Sequence, residues 1–198
     1  MNYLAHAHLS FFEPNILVGN MISDFVKGRK KFDYSVGIQK GIILHRAIDA
    51  FTDANTETKT AKEFFKPVYR LYSGVFVDVV YDHFLACDNK EFPSSIDLER
   101  FSQQVYQTLQ AHFSILPVGF QQMFPYMKTQ NWLYNYKFNW GLKKSLEGIV
   151  HRALYLDESA IAFSIFNDQY IALKNCYEIF FPELKKFATQ QLSNLLEY

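Results

Sequence analysis

Charge of one sign, cysteine, glycine and long apolar runs are all scarce in this chain of 198 residues. Lys plus Arg number 20 and Asp plus Glu number 20, so no net field draws the protein to nucleic acid or to an anionic membrane, and steering must be local. The two cysteines, Cys87 and Cys176, lie in apolar sequence without CxxC spacing. That excludes a disulfide framework and a thiolate zinc site and points to the reduced cytoplasm. No run approaches ~18 uncharged apolar residues, and His6, His8 and Glu13 stand where a signal peptide would be apolar, so neither secretion nor membrane spanning is expected. Eight Gly and six Pro are too few for the many tight turns of a strand-rich sandwich or barrel. Aromatics are abundant instead: 20 Phe and 13 Tyr read as large helix-packing side chains, some of them free to line a groove.

Helical periodicity runs from end to end, with short breaks of Pro, Gly, Asn and Ser, and predicts an all-α fold: one compact multi-helix domain over residues 1–198 with seven to nine helices. The expected segments are Asn2 to Phe12, Ile16 to Val26 closing at Gly28, Ser35 to Thr52, Thr56 to Phe65 capped by Asn55 and interrupted at Pro67, and Gly74 to Cys87. Ser94 or Ser95 caps a long helix to about Phe113. Shorter pieces follow between Leu116 and Trp140, then helices from Leu142 to Tyr155 and Glu158 to Phe180, and a last one started by Pro182.

The chemistry concentrates in the first 83 residues. Asp78, Asp82 and His83 lie in Gly74–Cys87, a segment without Lys or Arg that is apolar nearly all round and therefore buried as a helix. Asp78 and Asp82, four apart, share a face and must be compensated, by a buried arginine such as Arg46 or Arg70, by a shared proton, or by a divalent cation. His45, Asp49 and Thr52 form a narrow polar stripe flanked by Ile38, Ile42 and Ile48, readable as a His–Asp hydrogen bond within one helix or as a ligand face. His6 and His8 are two apart, so a helix directs at most one of them to a given site. Asp24 ends another apolar stretch. Inward His and Asp side chains from several helices are what a metal site in a helical domain needs, and without thiolates they suit Mn²⁺, Fe²⁺, Mg²⁺ or Zn²⁺. There is no Gly-rich phosphate loop, GxSxG or HExxH motif. Such a centre supports hydrolysis best.

Met1-Asn2-Tyr3-Leu4-Ala5-His6-Ala7-His8-Leu9, Gly19-Asn20, Asp24-Phe25-Val26-Lys27-Gly28, Gly41-Ile42, His45-Arg46, Ile48-Asp49, Thr52-Asp53, Asp78 and Asp82-His83-Phe84-Leu85 together resemble the acyl carrier protein phosphodiesterase, or acyl carrier protein hydrolyase, family, with weaker echoes at Gly148 and Arg152. That family is similar to the HD-type metal-dependent phosphohydrolases, all-helical enzymes whose metal is held by His and Asp from several helices. The resemblance implies an HD-domain-like fold and removal of 4′-phosphopantetheine from holo-acyl carrier protein by hydrolysis of its phosphodiester bond to serine, with Mn²⁺ as the metal. The adjacent His-Asp pair of the wider superfamily is missing here; Asp82-His83 has the reverse order. The ligands are therefore assigned from burial: His6, Asp24, His45 and Asp82 first, then Asp49, Asp78 and His83. Arg46 is expected to stabilise phosphoryl oxygens, Asp24 to take part in the chemistry, and His8 or His83 to protonate the leaving serine oxygen. Lys27, Arg29, Lys30 and Lys31, the dense basic cluster that starts three residues after Asp24, are expected to dock the acidic carrier protein. The same residues leave two other readings open, a phosphohydrolase acting on a nucleotide or other small phosphate ester and a helical binding module whose polar groups merely pair with one another.

Overall fold

The computed structural model describes residues 1–152 and 159–197, and among these there are α-helices and 3-10 turns but no strand. The α-helices are α1 (Tyr3–His8), α2 (Pro14–Ile22), α3 (Val36–Ala54), α4 (Thr56–Tyr69), α5 (Ser73–Ala86), α6 (Ser95–Ala111), α7 (Val118–Thr129), α8 (Trp132–Asn135), α9 (Asn139–Arg152), α10 (Ser159–Asp168) and α11 (Tyr170–Glu197). The periodicity thus located the helices but undercounted them, because short helices and 3-10 turns carry too few residues to show a period.

Local chemistry explains most boundaries. Pro14 starts α2 at a position where its missing N–H is not needed. Asn55 Oδ1 accepts the Glu57 and Thr58 N–H groups at 2.8 and 3.3 Å to open α4, and Ser94 Oγ accepts the Asp97 N–H at 3.3 Å to open α6. Five expectations are corrected. α4 runs through Pro67 to Tyr69. The segment expected as one helix up to Phe180 breaks at Gln169, between α10 and α11. The first helix ends at His8, and Phe11 and Phe12 turn the chain with φ of 50° and 63°. The second ends at Ile22, leaving Asp24 on a 3-10 turn over Ser23–Phe25. Pro182, expected to start a helix, lies inside α11. There the burial of Leu173, Tyr177, Phe180, Phe181 and Leu184 outweighs the roughly 3 kcal/mol of an internal proline. Tyr155 and Glu158, chosen as helix ends, lie outside the described residues.

α5 is the axis of the core. Its Phe76, Val77, Val80, Tyr81 and Leu85 are fully buried, and it packs against α1, α4, α9 and α11, which is why its sequence is apolar on every side. α2 and α3 pack most closely of all. A Cβ built on Gly19 would lie 2.1 Å from the Ile38 carbonyl oxygen, and one on Gly41 would lie 2.3 Å from that of Ile16. Only glycine permits this backbone approach, and it brings the C-terminal half of α2 against the His45–Asp49 turn of α3.

Candidate metal centre

Four short pieces of chain meet at one point: α1 with His6, α2 with Asn20, the following 3-10 turn with Asp24, and α3 with His45 and Asp49. His45 Nε2 lies 3.0 Å from Asp49 Oδ2 and 3.2 Å from Asp24 Oδ1. His6 Nε2 lies 3.2 Å from Asp49 Oδ1. The two imidazoles stack, with centroids 3.9 Å apart and planes 16° from parallel. His6, His45 and Asp49 each offer one ligand atom, all within 4.8 Å of one another.

Asn20 decides which nitrogens face this point. Its Nδ2 donates to the His6 carbonyl oxygen at 2.8 Å and to Ser10 Oγ at 3.1 Å, so Oδ1 is left as the acceptor for His6 Nδ1–H at 2.8 Å. The Asn20 backbone oxygen likewise accepts His45 Nδ1–H at 2.7 Å. Both tautomers are therefore set, and both Nε2 atoms turn towards the carboxylates. On His6 that nitrogen is buried without a hydrogen-bond donor, a lone pair facing a carboxylate. Two buried imidazole Nε2 atoms facing solvent-accessible carboxylate oxygens call for a cation, a proton or a metal ion, and the residues present fit a divalent metal with nitrogen and oxygen ligands.

The proton balance fits that picture. Burial opposes a charge on His45, but its hydrogen bonds to Asp24 and Asp49 win and push its pKa up to about 9. Burial and the neighbouring His45 push His6 down to about 4. The hydrogen bond with His45 holds Asp24 below its usual value. Burial works against ionising Asp49, yet the same histidine holds it far below the carboxylate range. Without metal, one proton on His45 Nε2 therefore occupies the place between the carboxylates, and His6 is neutral.

The other candidates lie elsewhere. Asp82 is fully buried and accepts the Leu4 and Ala5 N–H groups at 2.7 and 3.1 Å. It caps α1, whose first residues have no side-chain cap of their own, and so seats the helix that carries His6. Burial raises its pKa to about 7. Asp78 faces the Met1 nitrogen at 3.0 Å, and Asp49 is 3.6 Å from the same nitrogen; burial raises the pKa of Asp78. Neither arginine compensates the pair: Arg46 donates to the Val26 carbonyl oxygen at 3.0 Å, and Arg70 is exposed at the end of α4 with φ of 48°. His83 Nδ1–H donates to the Tyr136 carbonyl oxygen at 2.7 Å, and its ring stands edge-on to Phe166. His8 is bonded to Glu91 at 2.7 Å. Thr52 is turned back to the Ile48 carbonyl at 2.8 Å. The structure thus brings His6, Asp24, His45 and Asp49 together and keeps Asp78, Asp82, His8 and His83 out of their contact. The residue missed as a functional group is Asn20. Its signal was a polar side chain in the apolar helix α2, which burial obliges to find partners.

Lys27, Arg29, Lys30 and Lys31 fall in and before a 3-10 segment over Gly28–Asp33. All but the half-buried Lys31 are exposed. The mouth of the centre is at Asp24, whose side chain is 72% exposed. No helix among the described residues is long and apolar enough to cross a membrane.

Fold and site together define an all-helical protein with two buried imidazoles facing more exposed carboxylates, a centre suited to a divalent cation. A family model described as acyl carrier protein phosphodiesterase matches residues 1–184. Proteins named acyl carrier protein phosphodiesterase from Yersinia pestis and from Serratia proteamaculans (strain 568) are 31% and 30% identical over 188 residues, covering 95% of this chain and 97% of each relative. The chain belongs to the acyl carrier protein phosphodiesterase family, and no solved structure matches it.

Proposed function

We propose that this chain is a metal-dependent phosphodiesterase that hydrolyses the bond between 4′-phosphopantetheine and the serine of holo-acyl carrier protein, releasing the apo-carrier. The observation that carries the reading is the pair of imidazole Nε2 atoms aimed at Asp49, one of them buried without a donor, in a chain of this family. His6, His45 and Asp49 hold the metal, with Asp24 as a further oxygen at the mouth, and Mn²⁺ is the metal that the family resemblance implies. A divalent metal held there would supply Lewis acidity, lowering the pKa of water and offsetting charge on the phosphoryl group.

The chain's own groups do the rest. Asn20 orients both imidazoles through their Nδ1 atoms. Asp82 fixes α1 through two backbone amides. Asp24 Oδ1, kept ionised by its bond to His45 and open to solvent, accepts the proton of the attacking water. His8 and His83 do not protonate the departing serine oxygen, since Glu91 and the Tyr136 carbonyl engage them away from the centre. Arg46, exposed in α3 and tethered through one nitrogen to the Val26 carbonyl oxygen, keeps its remaining N–H donors for the phosphoryl oxygens. Lys27, Arg29, Lys30 and Lys31 receive the acidic carrier protein at the Asp24 side of the mouth. The reaction takes place in the cytoplasm, which keeps Cys87 and Cys176 free, and the whole chain acts as one domain.

The deciding experiment is mass spectrometry of holo-carrier protein before and after incubation with the enzyme and Mn²⁺. Loss of the phosphopantetheine mass, abolished in His45→Ala and Asp49→Ala and by a chelator, is the expected result. An unchanged carrier mass would refute the reading.

A further inference from the structure

The proposed substrate has two ends, and the metal centre explains only the phosphate. Beside it lies a cavity of about 420 Å³ between the start of α1, the middle of α5, α8 and the first turns of α9, a size suited to burying most of a small elongated ligand (~300–1,000 Å³). Trp132, Tyr136, Trp140 and Val79 give it apolar walls, and Asn2 and Ser145 add polar groups. Among the described lining residues the single charge is Lys144, and its Nζ is bonded to Gln130 Oε1 at 3.1 Å.

The cavity lies near the centre, one residue away along the chain at two places. Asn2 in its wall follows Met1, whose nitrogen is 3.0 Å from Asp78 and 3.6 Å from Asp49. Val79 in its wall follows Asp78 itself. A ligand with its phosphate at Asp49 therefore has this cavity within the reach of one or two residues. The lining is poor for the several phosphates of a nucleotide, because among the described residues it offers a single cation, Lys144, and no other charged group. It suits a neutral chain that carries amides and apolar carbon together: aromatic faces take the carbon, and side-chain amides take the amides.

Resting on the phosphodiesterase reading above, we propose that this cavity binds the pantetheine arm of the prosthetic group, a neutral chain with two amides, a hydroxyl and a dimethyl-substituted carbon. The arm lies along Trp132 and Trp140 with its thiol end away from the metal centre. The carrier protein itself stays outside, against the mouth.

Both tryptophans of the chain line this cavity, so their fluorescence reports on it directly. Pantetheine, which has no phosphate to bring it to the metal, is titrated into the wild-type protein to millimolar concentration. A saturable change in tryptophan emission is expected. It is lost in Ser145→Phe, which fills the cavity from α9, and weakened in Trp140→Ala, at a position 56% exposed and safe for folding; circular dichroism checks the fold of both variants. With holo-carrier protein, Ser145→Phe is expected to lower kcat/KM by about tenfold or more while hydrolysis of bis(p-nitrophenyl) phosphate with Mn²⁺ stays as in wild type. No saturable emission change in the wild type, or the same titration and the same kcat/KM in both variants as in wild type, overturns the assignment. Failure of the phosphodiesterase reading shows itself separately, as a wild-type enzyme that leaves holo-carrier protein uncut whatever pantetheine does to the fluorescence.

Discussion

Metal binding to this centre should release one proton over a wide pH range, and the count follows from the geometry. Well above pH 4 His6 is neutral, and Asp24 and Asp49 ionise below the pH at which an ordinary carboxyl does. His45 alone keeps its proton, up to about pH 9, because Asp24 and Asp49 both accept from it. A metal at Nε2 must displace that proton. The apparent affinity for Mn²⁺ should therefore rise about tenfold per pH unit, about a hundredfold from pH 6.5 to 8.5, and level off near pH 9. Isothermal titration of Mn²⁺ in two buffers of different ionisation heat counts the proton, and repeating it across pH gives the slope. Without metal the sign for stability is the opposite. A histidine with a raised folded pKa contributes stability that is full below about 6.5 and is lost as pH rises through about 9. A release of no proton would mean that His45 is already neutral between its carboxylates. A release of two would mean that His6 is charged. Either result refutes the proton assignment. Asp24→Asn removes one acceptor and should move the plateau down towards the ordinary imidazole range.

Asp82→Ala strands two buried amides of α1, each worth ~1–3 kcal/mol, offset in part by the relief of a buried carboxyl, so a loss of about 3 kcal/mol is expected. Urea unfolding measures it, and an unchanged midpoint with abolished Mn²⁺ binding would instead make Asp82 a ligand. Gly41→Ala pushes a Cβ into backbone of α2 and should cost on the order of 1–3 kcal/mol. It should also weaken Mn²⁺ binding, because Asn20 moves off His45; wild-type metal affinity in that variant would show that the close helix contact does not set the site. Glu91, held down to about 2 by His8 first and Lys185 next, contributes stability that is present above its ordinary pKa of 4.5 and lost as pH falls to about 2. Acid unfolding of Glu91→Gln should be shallower than wild type in that interval, and identical curves would remove Glu91 from the acid response. Reversing Arg29, Lys30 and Lys31 to Glu should raise KM for holo-carrier protein and flatten its salt dependence, while hydrolysis of bis(p-nitrophenyl) phosphate is unchanged; wild-type carrier kinetics would place docking elsewhere.

Much of this protein was legible in one dimension. The all-helical class followed from periodicity, and the caps at Asn55 and Ser94 from short-range hydrogen bonds that need only neighbouring residues. His45 and Asp49 were legible as partners because four residues is one turn of a helix. The same local rule misled at Asp78 and Asp82. They do share a face of α5, but what neutralises each comes from the far end of the chain's first turn, the Met1 nitrogen for one and the α1 amides for the other. Pro182 misled because a proline's local cost was judged without the apolar stripe that carries α11 through it. What only the tertiary structure decided was the convergence itself. His6 reaches His45 because α1 is anchored on Asp82 and because Gly19 and Gly41 let α2 and α3 touch. Asn20 then selects the nitrogen that each imidazole turns inward. Periodicity assigns a residue to a face of its own helix; which faces meet, and which lone pairs are left over when they do, depends on contacts between residues far apart in the chain.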